Sequence, residues 1–432
     1  MSPENATLAF VNARLIDPAS GYDGPGSVIV AEGVIADVIH GEQPPAGTPG
    51  TRVVDCDGNA LLPGLIDMRA RTGEPGHEPK ETLKSASLAA AAGGVTSFVV
   101  LPDTDPVVDE PAMVDFILRR SRDIELVHVY PAGAATKGNA GRQMAEIGLM
   151  HEAGALYFTD ADTPIVNTKI LRRVLSYANG FGALVAHRPK EPWLSDGTVA
   201  TEGEMAARMG LSAVPALSER IMIERDLALV ELTGARFLVD QVSTREGLGS
   251  LERAKAKGLD VSASVSINHL TFNELDIGDY RTFYRLDPPL RAESDRLALI
   301  DAVASGLIDV IVSNHSPAPA EDKRLPFSES VPGAIGLQTL LPALIGLHLE
   351  NDVPLIDLIR AVTVNPAELL GLDAGRLARG APADLILVDI EAPFALRERD
   401  ILSKSKNSPF ENRTLQGKVL KTLVDGRIVF EV

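Results

Sequence analysis

The chain has 432 residues, 45% of them apolar and 23% charged, with a net charge of −18 and one cysteine, Cys56. The balance is that of an ordinary globular protein. The negative charge argues against a nucleic-acid partner or an anionic membrane surface. A lone cysteine rules out an internal disulfide and fits a reducing, cytoplasmic setting. Residues 1–6 show no basic stretch leading into an apolar core, so no secretory leader is expected. No apolar run nears the roughly 18 residues that span a bilayer.

In chain order, residues 8–16, 27–30, 34–39 and 51–54 are rich in β-formers and are separated by Gly, Pro and Asp clusters. Glu32-Gly33 is a hairpin signal. The same texture returns at 384–388, 419–424 and 427–432, with Asp425-Gly426 as the turn. Two β-rich ends around a different middle predict one discontinuous small β-sandwich domain, built from 1–57 and 373–432.

The middle alternates. Strands are predicted at 60–67, 96–101, 125–131, 156–159, 183–187, 236–241, 260–265 and 309–313, with helices at 81–92, 142–153, 218–233, 250–257 and 294–305. Two further helices, 337–349 and 355–362, would close the set. Near-continuous apolar strands followed by helices are the pattern of a parallel sheet, and this count is that of a (β/α)8 TIM-like barrel, here over 58–372. The fold class is therefore α/β.

Barrel enzymes place their chemistry at the C-terminal ends of the strands. Those positions hold Arg69 and Arg71 on the first strand, Asp160 on the fourth, His187 on the fifth, Gln241 on the sixth and Asn314-His315 on the eighth. Two arginines at i and i+2 of a strand point to one face. His128, His269 and His315 read as packing residues, Trp193 as a packing anchor or interface residue, and Asp162 as part of a polar loop. No phosphate-binding loop or dinucleotide fingerprint is present.

The segments LLPGLIDM, GEPGHEPKET, AAAAGGVTSFVVLPDTDPVVD, LYFTDAD, AHRPKE, QVST, LDPPLR, SNHSP and SKSKNSPF, in this order, are similar to dihydroorotases of the long bacterial type, in the amidohydrolase superfamily. The likeness runs from about residue 8 to 430. It implies an amidohydrolase barrel, a role in de novo pyrimidine biosynthesis and a zinc site. Carried over position by position, most of that site is missing. The first-strand His-x-His pair falls on Arg69 and Arg71, and the substrate-binding arginine after it on Gly73. The family's asparagine falls on Asp103, the histidine before the VST run on Gln241, the catalytic aspartate on Asn314 and the last histidine on Ala318. Only Asp160 and His187 remain as metal ligands.

Arginine has no lone pair to donate and stays protonated. At about 4 Å and an effective dielectric near 20, each contact of a guanidinium with a dication costs roughly 8 kcal/mol. Asn314 cannot serve as a general base. These residues predict no catalytic residue, no bound metal and no cofactor. They also predict that Arg69 or Arg71 pairs with Asp160, the alternative being that both arginines face solvent. The resemblance implies a non-catalytic subunit that partners aspartate transcarbamoylase and forms a homo-oligomer. Two other functions stay open. One is an active dihydroorotase or related cyclic-amide hydrolase with a rearranged zinc site drawing on Asp103, Asp105 or His315. The other is an anion-binding protein that uses Arg69 and Arg71.

Overall fold

The computed structural model describes residues 7–41 and 51–432. Residues 1–6, where no leader is expected, lie outside the described residues. The two ends of the chain meet in one eight-stranded sheet. Leu385–Ala395 pairs antiparallel with Ala60–Pro63 on one side and Thr414–Val424 on the other. Ala60–Pro63 runs parallel to Leu8–Asp17, which pairs with Tyr22–Ala31 and with Arg52–Asp55. The hairpin turns are where expected, with both central residues at positive φ: 53° and 81° at Glu32 and Gly33, 49° and 74° at Asp425 and Gly426.

Two expectations change. The terminal strands form a single curled sheet rather than two facing ones. Its edge strand, Val34–His40, comes back to the segment before Leu385, where the Ile35 N–H donates to the Ala381 carbonyl at 2.8 Å. Phe10, Leu15, Val28, Ile35, Leu61, Leu385 and Leu423 fill the space inside the curl. The strand expected at 60–67 is two strands. Pro63 has no N–H to carry the ladder on, and the Gly64 N–H donates to the Asp384 carbonyl at 2.8 Å. Ala60–Pro63 therefore stays with the terminal sheet and the barrel begins at Leu65.

The barrel strands are β1 (Leu65–Ala70), β2 (Val95–Val100), β3 (His128–Pro131), β4 (Tyr157–Phe158), β5 (Leu184–His187), β6 (Phe237–Val239), β7 (Val261–Ser266) and β8 (Val310–Val312). β1 to β3 form one parallel ladder and β4 to β8 another. Single parallel bridges, Gly133 to Phe158 and Ala70 to His315, join them, so the eight strands close. Alternation along the strands separates two cores. Ile66, Met68, Val99, Ala132, Leu184, Leu238 and Val310 fill the interior, while Leu65, Phe98, Val185, Phe237 and Val265 pack outward in the larger apolar cluster.

Asp67 ties β1 to the end of β8. The Ser313 N–H donates to its Oδ1 at 3.0 Å and the Ser313 hydroxyl to its Oδ2. Burial pushes this carboxyl up to about 6, against the pull of the Ser313 bonds. None of the helices among the described residues is long and apolar enough to cross a membrane.

A methyl group on Gly64 would overlap the Thr96 side chain. Gly64→Ala is therefore expected to cost about 1–3 kcal/mol, the usual penalty for overpacking. The urea denaturation midpoint checks this.

Candidate functional site

β1 carries a register irregularity between Asp67 and Ala70. Met68 belongs to the barrel interior and Ala70 to the outer core. The irregularity lets Arg69, directly after an inward residue, point inward too. Arg69 is 1% exposed. Its Nη1 donates to Asp240 Oδ2 at 2.5 Å, its Nη2 to Asp162 Oδ1 at 2.6 Å and its Nε to Asn314 Oδ1 at 3.3 Å. Arg71 donates through Nε to Asp103 Oδ2 and through Nη2 to Asp162 Oδ2, each at 2.6 Å. Gln241 lies against both Arg69 and Asn314, and its amide oxygen accepts from the guanidinium when it is turned to face Arg69.

The network continues across the mouth. Arg188, directly after β5, is 2.8 Å from Asp162 Oδ1 and forms a two-pronged pair with Asp287, whose Oδ2 also accepts from Lys190 Nζ at 3.0 Å. Four cations thus face four carboxylates: Arg69, Arg71, Arg188 and Lys190 against Asp103, Asp162, Asp240 and Asp287. Burial opposes ionisation of Asp162, yet Arg71, Arg188 and Arg69 outweigh it and hold the carboxyl well below the usual range. Burial likewise opposes Asp287, and Arg188 with Lys190 brings it below the usual range.

The expected partner of the arginines was Asp160, and the structure places Asp162 there instead. Ala161 between them has φ 53°, a left-handed conformation that breaks the strand alternation. Asp160 turns away, accepting from the Thr136 N–H at 2.8 Å and from the Thr136 hydroxyl. Burial pushes it up to about 6. Arg69 is buried and Arg71 only partly exposed, and every NH group named above is already engaged by protein acceptors, so this pair leaves little for a free anion. Asp103 points at Arg71 rather than at open space.

The two residues expected to remain as metal ligands, Asp160 and His187, are also committed. His187 Nε2 accepts from the Ile165 N–H at 2.8 Å, which places its proton on Nδ1, 2.7 Å from Asp226 Oδ2. Its free lone pair is spent. Gly73 has φ 73°, and a Cβ there would sit 2.6 Å from the His77 carbonyl oxygen, so no arginine fits that position in this backbone. Ala318 is buried, its N–H donating to Asn407 Oδ1 at 3.1 Å. His315 Nδ1 accepts from the Gly336 N–H at 3.1 Å. Trp193 is 86% exposed and anchors nothing within the chain.

A divalent metal needs several lone pairs aimed at one point. Here a guanidinium occupies that point, and Asp160 and His187 already accept hydrogen bonds from the backbone. The residues do not fit a metal. Among the described residues, the one grouping of three donors compact enough for an ion is His128, Asp384 and Asp425. It lies where β3 begins, at the other end of the barrel. Sequence reasoning missed Asp240, Asp287, Arg188 and Lys190, and read Asp162 as loop. Two buried guanidinium groups require at least as many carboxylates, and Asp240 stands directly before Gln241.

A closed eight-stranded barrel with a sheet made from both chain ends, and its polar groups gathered at the strand C-termini, defines the frame of the amidohydrolases. Residues 58–247 match the Dihydro-orotase-like family and residues 245–429 the Amidohydrolase family. A dihydroorotase of Anaplasma phagocytophilum (strain HZ) is 37% identical over 98% of this chain and 95% of its own length. One from Anaeromyxobacter dehalogenans (strain 2CP-1 / ATCC BAA-258) is 37% identical, covering 98% of each chain. This chain belongs to the dihydroorotase family. Among solved structures, an L-hydantoinase (dihydropyrimidinase) from Arthrobacter aurescens superimposes with a TM-score of 0.86 at 22% identity, over 99% of this chain and 96% of that one. A dihydropyrimidinase from Brevibacillus agri NCHU1002 gives 0.84 at 19%, over 98% and 95%. These two establish the shared fold.

Arg69→Met leaves Asp240 and Asp162 short of a buried counter-charge and is expected to cost about 3–5 kcal/mol, read from urea denaturation.

The acid groups predict a pH dependence. Asp67 and Asp160 have folded values of about 6, against about 3.9 for a free aspartate. Their stabilisation is full below about pH 4 and is lost as pH rises towards 6. Asp162 and Asp287 are shifted the opposite way; their stabilisation is present above about pH 3.9 and is lost as pH falls below it. The denaturation midpoint of Asp160→Asn should therefore gain on wild type between about pH 4 and 6, with a constant difference above about pH 7.

Proposed function

We propose that this chain is a dihydroorotase-family protein of pyrimidine biosynthesis that does not itself hydrolyse a cyclic amide. In this reading it is a cytoplasmic structural partner of aspartate transcarbamoylase. The observation that carries the proposal is the commitment of Arg69. Its guanidinium fills the centre of the barrel mouth and is bonded to Asp240, Asp162 and Asn314. Hydrolysis of the family's kind needs a polarised carbonyl, an activated water and a general base. Zinc would supply the first two, and the residues here do not fit it. The family's base position holds Asn314, whose amide neither gives nor takes a proton at neutral pH. Retention of the whole barrel and terminal sheet around a filled mouth supports a role that depends on shape, and hence on a partner.

The second reading is an active dihydroorotase or related hydrolase with a rearranged zinc site. The names of relatives that are 37% identical along the full chain favour it. Both readings meet in one experiment. The protein is purified without chelator, its zinc measured by elemental analysis, and dihydroorotate hydrolysis assayed with zinc supplied. The expected result is substoichiometric zinc, no turnover, and co-purification with the aspartate transcarbamoylase catalytic subunit. Stoichiometric zinc with turnover would overturn the first reading and establish the second.

A further inference from the structure

The vestibule beside the arginine network holds a cation that the network does not use. Loops after β4, β5, β7 and β8 enclose a cavity of about 430 Å³. Pro164, Pro189, Pro192, Pro288, Pro289 and Pro332 line it, so its walls are stiff and lose little freedom on binding. Its cations are Arg188, Lys190, Arg285 and Arg291. Three of them have partners. Arg188 and Lys190 hold Asp287. Arg291 donates to Ser243 and Thr201 and lies 3.8 Å from Glu219.

Arg285 is different. Among the described residues its acceptors are two carbonyl oxygens, Leu286 at 3.2 Å and Thr198 at 3.5 Å, and its buried Nε–H has none. The nearest carboxylate in sequence, Asp287, is already drawn to Arg188 and Lys190. A half-buried guanidinium without a counter-ion is costly, and in a chain of net charge −18 carboxylates are not scarce. Burial accordingly lowers the Arg285 pKa from its usual value, with Asp287 only partly opposing.

We propose that this cavity binds a small metabolite carrying a carboxylate or phosphate group, with Arg285 taking the oxyanion. The guanidinium fork matches either group in a two-pronged pair. Ser328 on the cavity wall offers a hydroxyl to the remaining polar atoms, while Ser195 and Thr198, which donate to the Glu191 and Ser195 carbonyls, offer oxygens that accept. The volume is in the range of small-molecule sites. This goes beyond the functional reading above: the cavity shares Arg188, Lys190 and Asp287 with the network that fills the barrel mouth, but Arg285 lies outside it.

The test is calorimetric titration of the full chain with inorganic phosphate and with succinate at fixed ionic strength. Saturable one-site binding of either is expected at millimolar concentrations, and the preferred anion identifies the group. Arg285→Gln should weaken binding about tenfold to hundredfold, the worth of one charge-assisted hydrogen bond. Its ligand-free melting temperature should be unchanged or higher. Arg324→Gln, on the rim of a separate cavity, should bind as wild type does. Three results would each overturn the proposal. One is no saturable binding of either anion to wild type. Another is equal weakening by Arg324→Gln, which marks a general charge effect. The last is an Arg285→Gln protein that melts lower yet binds normally, which marks a purely structural arginine.

Discussion

A guanidinium buried at the centre of a barrel sets the terms for everything around it. Arg69 cannot lose its charge and has no lone pair to share. Its burial therefore demands oxygen acceptors in the plane of the group, and three strand ends supply four of them: Asp240 and Gln241 after β6, Asp162 after β4 and Asn314 after β8. Asp162 is shared with Arg71 and Arg188, which brings in Asp103 and Asp287. The charges close to neutrality only when the whole set is assembled. The loops of the C-terminal face are thus fixed to one another by a single electrostatic requirement.

Two guanidinium groups carry the same total charge as one divalent ion, but they reverse the chemistry of the hole they fill. A metal accepts electron pairs, whereas arginine offers protons. Neighbouring carboxylates can serve either. An imidazole nitrogen that could face a metal can equally accept a hydrogen bond, and His187 accepts one from the Ile165 amide. Asp160 does the same with Thr136. The barrel frame is kept, with the lone pairs of His187 and Asp160 directed to backbone N–H groups.

The barrel was legible because its strands are apolar runs and its helices have regular spacing. The terminal sheet was legible from β-rich texture and two hairpin turns. Its exact shape was not, because whether a sheet curls or splits in two depends on contacts such as Ile35 with Ala381, far apart in the chain. At the site, the two arginines at the end of β1 could be read directly. The choice of Asp162 over Asp160 could not, since it rests on one left-handed residue, Ala161, with no glycine to announce it. Asp287 and Arg188 were out of reach for a related reason: they meet across the barrel mouth from loops about 100 residues apart.

The shared sheet also has a consequence for synthesis on the ribosome. Ala60–Pro63 leaves its outer edge open until Leu385–Val388 arrives to pair with it. That partner emerges roughly 320 residues later, which at about 5–20 residues per second is some 15–65 s of translation. During that time the nascent chain presents an unpaired apolar strand, the kind of edge that recruits strands from other chains. Cells making this protein at high rates are therefore expected to shield its first sixty residues with a holding chaperone until the last sixty have left the tunnel.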